Sequence, residues 1–227
     1  TRVYDTLNAS QSGDFGYGWS LGVQDARIRE TVPAGGEYVA GKTKVYLTGP
    51  DGRRVGYTYQ ERSTDRPRLY GALFDAAFGK TVEPYFVPDP GVYETLELPE
   101  KQVTRGGIFA GLAGPFNPDV FILTTTDGLK YRYDQTKGLQ SIAEPNGNTV
   151  TFGRDAITHS GGESIQLRRD WLGRIKELVD PDGHSIKYTY DLAGDLRSVT
   201  DQAGQTTKIT YRTDFAHYLD ELIDPLG

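Results

Sequence analysis

Gly18-Trp19-Ser20-Leu21-Gly22 presents a serine in the spacing G-x-S-x-G. In a nucleophile elbow that spacing lifts the serine onto a strained strand-to-helix turn. There its hydroxyl attacks an acyl carbon with help from a histidine and an acid. Ser20 would then be the nucleophile of a hydrolase. The residues that follow, GVQDARIRETVPAGG, predict a strand and a turn instead of the helix an elbow needs. Gly16, Gly18 and Gly22 also miss the dinucleotide-binding spacing, because they read G-x-G-x-x-x-G.

Other chemistry is as thinly supported. Asp180, Asp182 and Asp201 could offer oxygens to calcium, but they lie in chain reversals without the D-x-D-x-D-G spacing of an EF-hand loop. Capping of turns is their expected role. Asp and Glu number 31, so some pair must fall at a glycosidase-like separation by chance. His159, His184 and His217 are scattered, and the chain has no Cys, which removes thiol catalysis, disulfides and cysteine-bound zinc. The expectation is a protein that is not an enzyme, with no catalytic residue, no metal and no cofactor.

A net charge of −6 argues against a nucleic-acid partner, and no apolar run reaches the length of a membrane helix. With no Met, residue 1 is not a translation start, so the 227 residues are expected to be a portion of a longer protein whose export signal lies upstream. Asn8-Ala9-Ser10 is a glycosylation sequon, meaningful only in a eukaryotic secretory setting. The aromatic-rich stretch from residue 70 to 93 allows two readings. Tyr70, Tyr85, Phe86 and Tyr93 could form a carbohydrate-stacking or partner surface, or they could be core.

The elements that must position these residues are strands. KVYLTG, RVGYTYQ, VYETLEL, DVFILTTT, LKYRYD and SIKYTYD alternate apolar and polar residues between Gly, Pro and Asp turns. Short helices are expected only at LYGALFDAAFG, residues 69–79, and in a second reading at HYLDELI, residues 217–223. The 28 glycines and 15 tyrosines suit an all-β chain of many turns and half-buried strands.

The second half repeats itself. Residues 127–147, 163–183 and 182–204 each carry a strand ending in an aromatic or Arg, an Asp, a Gly, a second strand and a closing Gly turn. Gly162, Gly183, Gly204 and Gly227 fall 21, 21 and 23 residues apart, which suits one β-hairpin per unit. Residues 148–162 read as a shortened copy. Asp180-Pro181-Asp182-Gly183 has a type I turn residue at every position, Glu144-Pro145-Asn146-Gly147 nearly so, and Asp201 to Gly204 lacks the Pro. On the return strands the apolar residues stand three apart, as in Leu196 and Val199, where alternation would give two. A β-bulge at a fixed place in every hairpin would reconcile them and bend the sheet. A lone hairpin cannot bury its apolar face, so the units must stack edge to edge.

The pairs Tyr133-Asp134 and Tyr190-Asp191, each followed by Gly, and the D-P-x-G turn resemble the YD repeats of the RHS and teneurin families. The structural repeat motif comprises Tyr133, Asp134, Gly147, Asp180, Pro181, Gly183, Tyr190, Asp191 and Gly204. FGYGWSL, with Phe15, Gly16, Tyr17, Gly18 and Trp19, is similar to the glycine-aromatic segment that opens the repeat region of bacterial RHS proteins. The resemblance implies a curved or spiralling antiparallel sheet of stacked hairpins, with a β-rich opening segment over residues 1–126, an aromatic-rich insertion at about 61–118, and repeats over 127–227. It implies a structural segment of the β-shell of a large exported or surface protein, whose partners are the rest of that shell and a C-terminal toxin cargo. The aspartate core through which some relatives cleave themselves is not matched, since Ile223 to Gly227 reads as an ordinary repeat turn. A cell-surface adhesive module binding glycans or a neighbouring cell is the alternative, and a hydrolase using Ser20 a third.

Overall fold

The computed structural model describes residues 2–22, 28–32, 36–48, 53–64, 71–107 and 115–226. Tyr70 and Gly227 lie outside them. The chain divides into two compact units, one formed by Thr1–Asp25 with Asn148–Gly227 and the other by Ala26–Gly147.

The opening segment holds β1 (Arg2–Tyr4), a 3-10 turn (Thr6–Asn8), β2 (Ser12–Gly13), β3 (Gly16–Tyr17) and β4 (Trp19–Leu21). Asp5 caps the 3-10 turn by accepting from the Leu7 N–H at 2.9 Å. β1 pairs with β4, setting Tyr4 opposite Trp19 and Val3 opposite Ser20, and β2 pairs with β3.

The unit Ala26–Gly147 contains β5 (Ile28–Thr31), β6 (Lys44–Thr48), β7 (Arg54–Ser63), α1 (Gly71–Phe78), β8 (Lys80–Pro88), β9 (Thr95–Glu97), β10 (Val103–Arg105), β11 (Val120–Thr124), β12 (Lys130–Asp134) and β13 (Gly138–Ala143). One antiparallel sheet runs in the order β10-β8-β7-β6-β5, and β9, β11, β12 and β13 pair in series in another. Strict alternation places Val45, Leu47, Tyr57 and Tyr59 on the inner faces of β6 and β7, all without solvent exposure. Tyr38, Tyr59, Phe86 and Phe121 join them as a chain of tilted and edge-on rings with centroids 5–6 Å apart. The helix expected near residues 69–79 is α1.

From residue 148 the chain is a meander: β14 (Thr149–Phe152), β15 (Ala156–His159), β16 (Ser164–Arg169), β17 (Ile175–Val179), β18 (Ser185–Tyr190), β19 (Leu196–Thr200), β20 (Thr206–Tyr211) and β21 (Leu219–Ile223), each antiparallel to the next. Register shifts recur at one place, between Arg132 and Tyr133, Arg168 and Arg169, Thr189 and Tyr190, and Thr210 and Tyr211. At each shift the return strand carries the extra residue: Gln140, Lys176, Arg197 and Asp220. These are the expected bulges, and each adds local twist and bend to its hairpin.

The bulge also corrects one expectation. HYLDELI is not a helix; its last five residues are β21. Leu219 and Leu222 stand three apart because Asp220 is the bulged residue and resets the alternation, which imitates helical periodicity over so short a stretch.

Candidate functional site

The glycine-aromatic opening and the hairpin repeats build one assembly. Phe15, Trp19 and Leu21 share a buried cluster with Leu167, Ile175, Tyr188, Leu196, Val199 and Ile209, the inward residues of β16 to β20. The Phe15 ring lies 4.8 Å from that of Tyr188, and Tyr4 tilts against Trp19 at 5.2 Å. Burial of these rings is the main source of adhesion, at roughly 2 kcal/mol for each fully buried large apolar side chain.

Polar contacts fix the register of that packing. The Ile175 N–H donates to the Asp14 carbonyl at 2.7 Å, and Arg169 forms an ion pair with the Asp14 carboxylate at 2.7 Å. The Trp19 indole N–H donates to the Tyr211 hydroxyl at 2.9 Å. Tyr4 donates to the His217 carbonyl at 2.7 Å and accepts from the Leu219 N–H at 3.0 Å. His217 holds φ at +69°, stacks its ring on Tyr17 at 3.8 Å between centroids, and places Nδ1 2.8 Å from the buried Asp195 carboxylate. Gly16 has φ of +87°, and a Cβ there would stand 2.4 Å from the Gly194 carbonyl oxygen, so glycine permits both the turn and the close approach.

A second regularity links successive hairpins. The Tyr190 hydroxyl donates to the Ile175 carbonyl, and the Tyr211 hydroxyl donates to the Leu196 carbonyl at 3.0 Å. Each donor stands 15 residues beyond its acceptor, and the two pairs are one 21-residue period apart. One period earlier Arg169 takes the place of tyrosine and donates from Nε to the Arg154 carbonyl at 3.0 Å, also 15 residues back. Burial pushes the Tyr190 and Tyr211 phenols above their ordinary range, so both remain neutral donors at any physiological pH. Arg174 lies over the Tyr190 ring at 4.1 Å.

Asp134, Asp170, Asp180, Asp191 and Asp201 each serve their own turn. Asp170 Oδ1 accepts from the Leu172 and Arg174 N–H groups, Asp180 from His184, Asp191 from Asp195, Asp201 from Ala203 and Gln205, and Asp134 from Thr136 and Lys137. The hydrogen bond from the Thr136 hydroxyl, with help from backbone N–H groups, holds Asp134 below its ordinary range. At Asp170 burial would raise the carboxyl, but hydrogen bonds and charge from Arg174 outweigh it and the group is lowered. Gly147, Gly183 and Gly204 take positive φ at the closing turns, Pro181 stands exposed beside Gly183, and Tyr133 is fully buried in β12. Among the described residues no three His, Asp or Glu side chains converge as a metal site.

Ser20 does not sit in an elbow. It lies mid-strand in β4 opposite Val3, because the glycines around it turn the chain beside packed aromatics. Of the described aromatic candidates, Tyr85 and Phe86 are consecutive in β8 and so project to opposite faces. Phe86 is buried between Tyr59 and Phe121, the neighbouring Tyr85 lies beneath the Arg62 guanidinium, and Tyr93 stands exposed.

Sequence reasoning missed Tyr4, Asp14, Arg169, Tyr211 and His217. The signal for two of them was present, since Arg169 and Tyr211 stand 21 residues either side of Tyr190. Tyr211 is followed by Arg and Arg169 is not aromatic, so a search for Tyr-Asp pairs passes over both.

The RHS Repeat family model matches residues 170–206, which span β17 to β19 and their turns. No curated protein matches the chain.

Proposed function

We propose that this chain, an RHS/YD-repeat protein by its match over residues 170–206, serves as a wall segment in the β-shell of a large exported or surface protein that encloses a C-terminal toxic polypeptide. The repeat region gives it a structural role, and the enclosure is the reading of that role. One observation carries it. The same bulge recurs in hairpin after hairpin, and in three of them a side chain, Arg169, Tyr190 or Tyr211, donates to the carbonyl 15 residues back. A bulge bends its strand in a fixed sense, so identical bulges at a fixed period favour a sheet that curves steadily, the geometry a wall around a cavity requires.

The opening segment fits the same role. Phe15, Trp19 and Leu21 cover the apolar side of the hairpins, which a single-layered sheet would leave in water. The glycan-binding adhesin remains the competing reading, without a clustered aromatic platform among Tyr85, Phe86 and Tyr93 to favour it. Among the described residues no helix is long and apolar enough to cross a membrane, and an exterior location follows from the proposed role alone.

Electron microscopy of the full-length polypeptide that carries this chain, combined with limited proteolysis, tests the reading. A hollow particle that protects its C-terminal part from protease supports it. An open, rod-like molecule with a freely digested C-terminal part overturns it.

A further inference from the structure

The turns joining β16 to β17 and β18 to β19 lie side by side on one rim of the meander, two strand spacings or roughly 10 Å apart. With Tyr17 of the opening segment they enclose a cleft of about 740 Å³, inside the unit formed by Thr1–Asp25 and Asn148–Gly227. Ligand pockets commonly measure roughly 300–1,000 Å³. Trp171 lines the cleft and is 89% exposed, and Leu172 and Leu192 beside it are exposed as well. An aromatic of that size held in water by a fixed turn gains nothing for folding. The turn is fixed because Asp170 Oδ1 accepts from the N–H groups of Leu172 at 3.0 Å and Arg174 at 2.9 Å. The Gly173 N–H also donates to the Asp170 carbonyl at 3.0 Å.

Two groups of opposite charge line the same cleft with hydrogen-bonding capacity left over. Arg174 spends Nε and Nη2 on the Asp170 carboxylate, at 2.8 and 2.7 Å, and its Nη1 has no acceptor among the described residues. Its side chain is only 12% exposed, so the guanidinium is already held in place. Asp191 takes the Asp195 N–H on Oδ1 at 2.9 Å, whereas Oδ2 has only the Arg197 Nε at 4.0 Å, beyond hydrogen-bond length. Among the described residues no ion pair joins Arg174 to Asp191. Nη1 nevertheless reaches the turn that holds Asp191, since a Cβ at Gly194 would stand 3.7 Å from it.

We infer that this cleft binds an aromatic or large aliphatic α-amino acid in its zwitterionic form. The ligand carboxylate would accept from Arg174 Nη1, its ammonium would donate to Asp191 Oδ2, and its side chain would lie against Trp171, Leu172 and Leu192. Plainer ligands fit less well. An uncharged apolar molecule would strip water from Nη1 and Oδ2 and leave both unpaired. A simple anion would meet the charge of Asp191, and a simple cation that of Arg174. A ligand carrying both charges beside an apolar group satisfies every wall, through charge-assisted hydrogen bonds to groups that are already ordered.

The site goes beyond the wall reading, and its test is independent of whether a shell exists. The full chain is titrated by calorimetry with L-phenylalanine, with hydrocinnamate, which lacks the ammonium, and with L-phenylalaninamide, which lacks the carboxylate. Saturable binding of L-phenylalanine is expected, with each analogue about tenfold weaker. Asp191→Asn keeps the Oδ1 acceptor of the turn and should weaken L-phenylalanine about tenfold while leaving hydrocinnamate unchanged. Trp171→Ala should weaken all three about fivefold. Trp171 is exposed, and circular dichroism verifies that both variants fold. No saturable binding at millimolar ligand, analogues that bind as tightly as the amino acid, or equal losses of L-phenylalanine and hydrocinnamate in Asp191→Asn overturn the assignment. So does an affinity that Trp171→Ala leaves unchanged, or tighter binding of a disaccharide such as cellobiose.

Discussion

The Trp19 indole and the Tyr211 hydroxyl meet at 2.9 Å although 192 residues separate them, and the same hydroxyl reaches on to the Leu196 carbonyl at 3.0 Å. Tyr211 is thus both a rung between hairpins and the anchor of the opening segment. Tyr211→Phe keeps the ring and removes both bonds, leaving an indole N–H and a carbonyl without their partner. A loss of about 1–3 kcal/mol is expected in urea unfolding of the full chain. A double-mutant cycle with Trp19→Phe should show coupling above about 0.5 kcal/mol, and strictly additive losses would mean the bond contributes nothing.

Two glycines of matching backbone separate strain from contact. Gly16 and Gly183 have φ of +87° and +88°, but a Cβ at Gly183 meets open space whereas one at Gly16 would strike the Gly194 carbonyl. Gly183→Ala should cost about 1 kcal/mol, the penalty of a left-handed alanine. Gly16→Ala should cost about 3 kcal/mol or more, because the opening segment must also shift. Equal midpoints in denaturant would show that the close approach does not matter.

Glu30 makes the stability of the unit Ala26–Gly147 fall as pH rises from mild acid towards neutrality. Burial, with the nearby charge of Asp119 adding to it, raises its carboxyl to about 7, while the Tyr38 hydroxyl and the Gln135 amide both donate to it. Between an ordinary value of 4.5 and this raised value, the folded protein holds a proton that the unfolded chain has released. Stability from this group is therefore greatest below pH 4.5 and is lost as pH rises through about 7. Thermal melts should show a midpoint that falls over that window, and Glu30→Gln should flatten the dependence.

Asp170 acts in the opposite direction. Its carboxyl is held below its ordinary 3.8 by Arg174 against the opposing effect of burial. The stabilisation is present above pH 3.8 and disappears as pH falls through the lowered value. Asp170→Asn removes the Arg174 ion pair at 2.7 Å and should cost about 1 kcal/mol at pH 7, with the difference from the parent chain vanishing in strong acid. A penalty that persists at low pH would show that the charge is not what Asp170 contributes.

Local chemistry explains why so much of the architecture was legible beforehand. Turn residues act through their own backbone neighbours, so Asp180 to Gly183 declares a reversal without knowledge of the fold. The three-residue spacing of Leu196 and Val199 declared the bulge, because a pleated strand puts inward residues two apart unless one residue is added. By the same token, HYLDELI misled, since a bulge and a helical turn leave the same mark on five residues.

What the linear chain determined by itself was the all-β class, the hairpin period and the place of each bulge, all consequences of interactions within about twenty residues. Only the tertiary structure decided where Phe15 and Trp19 would pack, that Ser20 lies within a strand, that Arg169 does the work of a tyrosine, and that Phe86 belongs to a core while Tyr93 does not. Those outcomes depend on surfaces brought together across more than a hundred residues, and hydrophobic burial is non-directional. The pattern of one segment states that a face must be covered; the folded chain alone supplies the segment that covers it.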